Sequence, residues 1–465
     1  MKKPNKLQTV LSVASCKLTR AVLRRTGRGG TAIPGIVALK LSGNVLSVPA
    51  RGMNIVVVTG TNGKTTTCNM IAHAITSAGH ECLLNKSGAN LLHGIASDLL
   101  CSTDWQGRPK YPYAVLECDE AALKQVVPLI RPKAIVVTNL FSDQVDRYGG
   151  VQNTLKEIRT GVERSPRSVL VLNADDPLSS SLSLNVPNKV IRFGMDQAVG
   201  VQGNIDLADA GTCPECGSEY EYDFHTYAHL GGFRCPKCGY KRQEPDVAVV
   251  SIDQKDALGS IVHMRAKGCG ADPREVRISL PAVYNIYNAS AAVAAAIALR
   301  IPADQAVSSL ADVKSSFGRL ETFDLEGVRL QMILVKNPAG CNQAFTYVTG
   351  FDEDYTAVLC LNNRTGDGHD ISWIETTDYE KLCGDPHLKK IYVIGDCAGE
   401  LAARLEKAGA VSEDRDRMEI MSDYDQIVQR LKTEGRPAFL LPNYTSMMEL
   451  RQAVSKVTGS REFWE

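Results

Sequence analysis

The stretch Asn54–Thr67, NIVVVTGTNGKTTT, decides how the rest of the chain is read. An unbroken apolar run, Ile55–Val58, is followed by Gly60 and Gly63, then by Lys64 and three threonines. Such a run predicts a strand buried on both faces, as in the middle of a parallel sheet. The glycines let the backbone curl so that its N–H groups face one point, and the helix that follows adds its positive end. A turn of this kind holds the phosphates of a nucleotide. The general pattern GxxxxGK[ST] fails at its first position, where Val58 stands. Gly60, Thr61, Asn62, Gly63, Lys64, Thr65 and Thr66 keep the working parts. Lys64 neutralises β/γ-phosphate charge, and the Thr65 hydroxyl can ligate Mg2+. An ordinary strand-turn-helix with an exposed lysine is the plainer reading; the required order of strand, loop and helix argues against it.

Outward from this stretch, YAVLECD (113–119), AIVVTNL (134–140) and SVLVLNADDP (168–177) are further apolar runs ending in polar residues. Strands alternating with helices, with polar groups at strand C-termini, predict a doubly wound parallel sheet. VAVVSID (247–253) resumes the pattern, and NASAAVAAAIALR (288–300) reads as an Ala-rich helix. From residue 317 a second α/β pattern begins, with strands in QMILVKN, YTAVLCLNN, KIYVIGD and PAFLLPN. The expected fold is α/β. Residues 1–50 form a basic helix and linker, 51–316 a central nucleotide-binding domain, and 317–465 a Rossmann-like C-terminal domain.

The central domain is interrupted at about 206–243 by CPECGSEYEYDFHTYAHLGGFRCPKCGY. Two CxxC knuckles present Cys213, Cys216, Cys235 and Cys238, and four thiolates close the tetrahedral shell of a structural Zn2+. A redox pair is the weaker alternative. His225 and His229, between the knuckles, are expected in packing or at the surface. Zinc ribbons often bind nucleic acid, but Glu215, Glu219, Glu221 and Asp223 leave this one without a basic excess.

The whole chain of 465 residues carries 52 Lys and Arg against 52 Asp and Glu, without the basic excess of a nucleic-acid binder. Ten further cysteines are scattered, as in a reducing, cytoplasmic setting. No apolar run reaches the ~18 residues of a membrane helix. Val13-Ala14-Ser15-Cys16 is similar to a lipoprotein cleavage box, but the apolar stretch before it is short and carries Gln8, Thr9 and Ser12. Residues 5–25 read better as a basic amphipathic helix, with Leu7, Val10, Leu11, Ala14, Leu18 and Val22 on one side. It is expected either to pack on the next domain or to touch an anionic membrane surface.

TGTNGKTTT (59–67) resembles the ATP loop of the Mur ligase superfamily, whose members use ATP to turn a carboxylate into a carboxyl-phosphate and join it to an amine. VLECDE (115–120), VTNLFSDQVDRYG (137–149), LNADDP (172–177), YNIYNASAA (284–292) and GRLE (318–321) are similar too, so the resemblance runs from about 55 to 321. It implies ATP and Mg2+ as cofactors, with Thr65 and Glu117 as magnesium ligands. Asn288 would contact the nucleotide, and Arg319 the transferring phosphate, where a guanidinium stabilises developing charge. A strand-end surface charge for Glu117 and an interdomain ion pair for Arg319 are the plainer alternatives. Asn285 reads as a helix cap.

Three departures narrow the resemblance. Asp143-Gln144 stand where peptide-adding members read Asp-His, and Lys336-Asn337-Pro338 where they read His-Asn-Pro; the cysteine insertion is the third. In these features, and in DGHDISW (367–373) and PNYTSM (442–447), the chain resembles the MurT-type synthetase subunits. That implies ATP-dependent amidation of the D-glutamate α-carboxyl in the lipid II stem peptide, a substrate at the membrane surface. Ammonia would come from a GatD-type glutaminase in a heterodimer, since no glutaminase Cys-His motif is evident in this chain. Lys336 is expected at the nucleotide in place of the histidine. An Asp of DGHD is expected to complete the partner's Cys-His pair, with Asp370 placed first and Asp367 second; by composition alone the segment is a glycine turn with solvated acids. No lysine is assigned as the carbamylated residue that superfamily members often carry. An amino-acid-adding ligase of the cell-wall or folylpolyglutamate type stays open as an alternative, and a zinc-ribbon nucleic-acid binder as a second.

Overall fold

The apolar run of the opening stretch becomes β1 (Asn54–Thr59), the third strand from one edge of a nine-stranded sheet. The computed structural model describes residues 4–25, 32–85, 89–141, 150–196, 210–256, 259–270, 272–280, 282–313, 319–412 and 415–459. Asp143 and Gln144, the start of the cysteine insertion and the 316/317 boundary lie outside them.

The strands following β1 are β2 (Cys82–Leu84), β3 (Tyr113–Glu117), β4 (Ala134–Val137), β5 (Val169–Asn173) and β6 (Val190–Met195). Then come a separate hairpin, β7 (Glu221–Tyr227) and β8 (Leu230–Arg234), and β9 (Val247–Asp256), β10 (Gly259–Ala266) and β11 (Arg274–Ile278). The sheet order is β2-β3-β1-β4-β5-β6-β9-β10-β11. Pairing is parallel from β2 to β9 and antiparallel from β9 to β11. The expected parallel sheet is therefore present, extended at one edge by two antiparallel strands.

Period-two alternation sends the residues of β1 into two cores. Ile55 and Val57 pack with α1 (Lys6–Arg25), α2 (Ile33–Leu41) and a later helix on that face. Val56 and Val58 pack with α3 (Lys64–Ser77), which the phosphate loop opens. The later helix on the first face is α4 (Leu92–Cys101). A short α5 (Pro177–Ser181) follows β5, and α6 (Val283–Ala298) lies against α3; its small alanines let it sit buried on the sheet.

β6 and β9 are parallel neighbours, and a parallel pair needs a crossover of a dozen or more residues. The cysteine insertion stands in that crossover, where a helix is usual.

The second sheet contains β12 (Arg319–Leu325), β13 (Val328–Ile333), β14 (Tyr355–Cys360), β15 (Leu388–Ile394), β16 (Met418–Ile420) and β17 (Ala438–Pro442), in the order β12-β13-β17-β14-β15-β16. All pairs but β12-β13 are parallel. Two helices matter for the site: α7 (Pro338–Val348) after β13, and α8 (Tyr444–Thr458) at the end. Glu321 of GRLE forms a fork-to-fork pair with the buried Arg451 of α8 at 3.0 Å, which fastens β12 to that helix.

The expected N-terminal helix is present, and α1 does pack on the next layer. It does so with its unexpected side. Thr9, Ser12, Val13 and Cys16 are buried, and Arg20 pairs with Asp98 of α4 at 3.2 Å. Leu7, Val10, Leu11, Leu18 and Val22 face outward. No single described helix is long and apolar enough to cross a membrane.

Candidate active site

The loop between β1 and α3 needs its glycines. Gly60 has φ +119 and Gly63 φ +83, which L side chains rarely adopt. A Cβ on Gly63 would stand 2.1 Å from Asn288 Oδ1, and one on Gly60 2.4 Å from Thr138 Oγ1. Residues at the end of β4 hold the curl. The Asn62 amide donates to Asn139 Oδ1 at 2.9 Å, and Thr138 Oγ1 donates to the Asn62 carbonyl at 2.7 Å. Thr61 Oγ1 donates to the Phe141 carbonyl and accepts from its amide, at 3.1 and 3.0 Å. Backbone strain of about 1–3 kcal/mol predicts roughly a tenfold to hundredfold loss of nucleotide affinity in Gly63→Ala, measurable by titration with a fluorescent ATP analogue.

Two acids at and just beyond the end of β3 face this loop. Glu117 Oε2 accepts from Thr65 Oγ1 at 2.7 Å, so the two expected magnesium ligands are adjacent. Asn85 pins Glu117 through both backbone groups, at 2.7 and 3.0 Å. A hydroxyl and a carboxylate side by side at a phosphate loop are a hard-oxygen donor set that fits Mg2+. Glu120 was not anticipated. It takes Lys64 Nζ at 2.7 Å, while the same ammonium also donates to the carbonyls of Gly60 and Thr61. Its only sequence signal is its place in VLECDE, three residues beyond Glu117.

Beside the loop lies a cleft walled by Asn62, Gly63 and Thr66, by Tyr284, Asn285 and Asn288 of α6, and by Ile333, Leu334, Ala339, Gly340 and Gln343 of the second unit. Asn288 lines this cleft, with its amide on Asn285 Oδ1 at 3.1 Å and its carbonyl facing Thr67 Oγ1. Asn285 does not cap α6: Ala282, with φ +75, is the cap position, and Asn285 lies inside the first turn, holding Asn288. In Lys336-Asn337-Pro338, it is Asn337 that reaches the loop, donating to Asn62 Oδ1 at 3.3 Å while its own Oδ1 caps α7 through the Gly340 amide. Lys336 is half-buried next to it and is not among the cleft's lining residues. Arg319 begins β12, opposite Ile333; its side chain lies outside the described residues.

The acids of LNADDP are a structural hub. Asp176 caps α5 and accepts the Leu140 amide, both near 2.9 Å. Asp175, fully buried, accepts from Tyr287 OH at 2.6 Å, Arg242 Nε at 2.7 Å and the Met195 amide at 2.8 Å. Burial pushes its carboxyl up, and those three donors pull the other way. Arg242 belongs to the insertion, so this carboxylate ties the insertion to α6 and β6.

The four cysteine sulfurs converge, with all ligand atoms within 4.8 Å of one another. Each knuckle closes on a glycine in the left-handed region, Gly217 or Gly239, whose amide donates to the first cysteine's carbonyl. A set of four thiolates on this backbone fits Zn2+. His229 is buried against Phe141 and beside Asp176, and His225 stacks on Tyr222; both pack, as expected. Tyr227, at the end of β7, stacks on Phe141, which binds the loop residue Thr61, and also lines the cleft. Loss of an ion held by these four sulfurs would therefore be expected to weaken nucleotide binding and to lower the melting temperature, by about 2–4 °C per kcal/mol lost. Calorimetry of Cys216→Ser with and without a chelator checks this.

The DGHD segment follows β14. Both oxygens of Asp367 are occupied by Thr445, its amide at 2.7 Å and its hydroxyl at 2.5 Å, at the first turn of α8. Asp370 Oδ1 accepts the Ser372 amide at 2.8 Å, and its Oδ2 has no partner among the described residues. The preceding Arg364 forks onto Asp396 and reaches Glu449, at 2.7 Å each.

The chain matches the family model of the Mur ligase middle domain over residues 58–228 and that of the MurT ligase C-terminal domain over residues 334–447. It is 33% identical over 454 residues to the lipid II isoglutaminyl synthase (glutamine-hydrolyzing) subunit MurT of Streptococcus pneumoniae, covering 97% of each chain. To the same subunit of Staphylococcus aureus it is 30% identical over 443 residues, 95% of this chain and 96% of that one. In fold it is similar to the MurF ligase of Thermotoga maritima in complex with ADP, with a TM-score of 0.63 at 14% identity, over 91% of this chain and 84% of that one.

Proposed function

The chain belongs to the MurT family of Mur-ligase-like synthetase subunits, and from that premise we propose that it amidates the stem peptide of lipid II with ATP and glutamine-derived ammonia. The observation that carries the reading is the meeting of three parts at one loop: Lys64 for phosphate charge, the Thr65–Glu117 pair, and a cleft closed by the second unit through Asn337.

In this reading Gly60–Thr66 cradle the phosphates of ATP, and Thr65 and Glu117 hold Mg2+, which would neutralise phosphate charge. Asn288 orients the nucleotide, with Lys336 at the rim and Arg319 on the transferring phosphoryl group. A D-glutamate carboxylate oxygen attacks the γ-phosphorus, and ADP leaves with the electrons of the broken P–O bond. The nitrogen of ammonia then adds to the acyl carbon and sheds a proton, and phosphate departs with the C–O bond pair. Positioning and charge stabilisation are sufficient for this chemistry. Contact of the second unit with the loop keeps water from the acyl phosphate.

The subunit description of its relatives implies a complex, and the partner proposed here is a GatD-type glutaminase whose catalytic pair Asp370 would complete. Zn2+ on the four cysteines is structural, with no open coordination position. Mass spectrometry of the stem peptide tests the reading: glutamine, ATP and the glutaminase together should convert the glutamate carboxyl to its amide. Addition of an amino acid without any glutaminase would overturn it.

A further inference from the structure

We propose that the outer face of α1 is a docking surface for an anionic lipid bilayer, on which the protein lies with this helix flat in the headgroup region. The helix is built inside out for a water-facing element. On a 3.6-residue wheel, Leu7, Val10, Leu11, Ala14, Leu18 and Val22 form one continuous stripe. Leu7, Leu11, Leu18 and Val22 are each more than half exposed. The opposite side, against α2 and α4, buries Thr9 and Ser12, and Ser12 Oγ has no hydrogen-bond partner there. A helix optimised only to cover its own domain would place the leucines inside and the hydroxyls outside, since an unpaired buried hydroxyl and exposed leucines both cost stability.

Charge identifies the occupant. Residues 1–50 hold nine Lys and Arg and no Asp or Glu, in a chain whose total charge is zero. Lys6, Lys17 and Arg24 share one border of the apolar stripe by the same wheel. On that border the Lys17 ammonium lies 4.8 Å from the ring centre of Trp105, which is itself more than half exposed. An apolar face with a cationic border and an indole at its edge is the pattern of an interfacial helix. At about 1.5 Å per residue the 20 residues of α1 give roughly 30 Å of contact. A protein partner would also cover the leucines, but it would not call for an acid-free segment of this length; negatively charged headgroups do. The inference is independent of the amidation chemistry, which these residues do not touch.

The test is co-sedimentation of the full chain with vesicles of phosphatidylcholine alone and of equal parts phosphatidylcholine and phosphatidylglycerol. The wild type should pellet with the anionic vesicles, less so as salt rises, and Leu11→Ser/Leu18→Ser should lower the vesicle affinity by on the order of tenfold or more. Should the double variant misfold by circular dichroism, the wild type still decides: brominated lipids should quench the part of its fluorescence that Trp105→Phe removes. Absence of pelleting, pelleting equal in the variant, or absence of quenching would overturn the proposal. So would a dimer or a glutaminase complex that the double variant dissolves while neither vesicle binds.

Discussion

Lys64→Ala is expected to lower amidation at least about a thousandfold, because phosphoryl transfer has little but charge stabilisation to draw on. The side chain has a second task that complicates the experiment. Its ammonium sits on Glu120 at 2.7 Å, with both side chains at most 12% exposed. Removing one partner of a buried pair leaves the other charge uncompensated and is strongly destabilising. Lys64→Ala alone therefore mixes lost chemistry with lost stability. Lys64→Ala/Glu120→Gln separates them: the double variant should melt closer to wild type than the single one and stay equally inactive. Near-normal turnover in a folded double variant would remove Lys64 from the mechanism. Glu120→Gln alone should retain nucleotide binding, since the glycine curl and the Asn139 and Thr138 bonds remain.

What the sequence made legible follows burial. The strands around β1 are covered on both faces, so their residues read as unbroken apolar runs at YAVLE, AIVV and VLVLN. β10 was not legible. It is covered on one face, with Val262, Met264 and Ala266 buried and Ile261, His263 and Arg265 turned out, so half its signal is polar. The CxxC spacing announced four converging sulfurs, but a spacing says nothing of topology. That the insertion stands in the β6–β9 crossover, and that Arg242 brings it to Asp175, depends on strand order. In the site, the curl set within the loop by Gly60 and Gly63 was readable. Groups recruited across space were not: Glu120 on Lys64, and Asn337 on Asn62. The cap assigned to Asn285 failed for a local reason, since helix α6 starts one turn earlier than an asparagine cap would require.

Asp370→Asn is expected to suppress glutamine-dependent amidation on the order of 10^3–10^4-fold in the complex with the glutaminase, while amidation driven by added ammonium salt persists. The magnitude is that of a carboxylate lost from behind a catalytic imidazole, where the wrong tautomer is left and the imidazolium loses its counter-charge. Two acids compete for the role, and their surroundings differ. Asp367 already spends both oxygens on Thr445, so it acts as a brace for the first turn of α8. Turning it toward a partner would break two hydrogen bonds and expose that helix end. Asp370 uses one oxygen to hold the Ser372 amide, which fixes the carboxylate plane, and its second oxygen is available to accept. A carboxylate held by one oxygen and open at the other is the arrangement that can orient an imidazole N–H. Asp367→Asn should accordingly cost stability, about 1 kcal/mol for a weakened helix start, and leave the ratio of glutamine-driven to ammonia-driven turnover unchanged. Glutamate release and isoglutamine formation, measured side by side for the two variants, distinguish the roles. A shift of that ratio in Asp367→Asn but not in Asp370→Asn would transfer the assignment to Asp367, and the Thr445 bonds would then have to open when the complex forms.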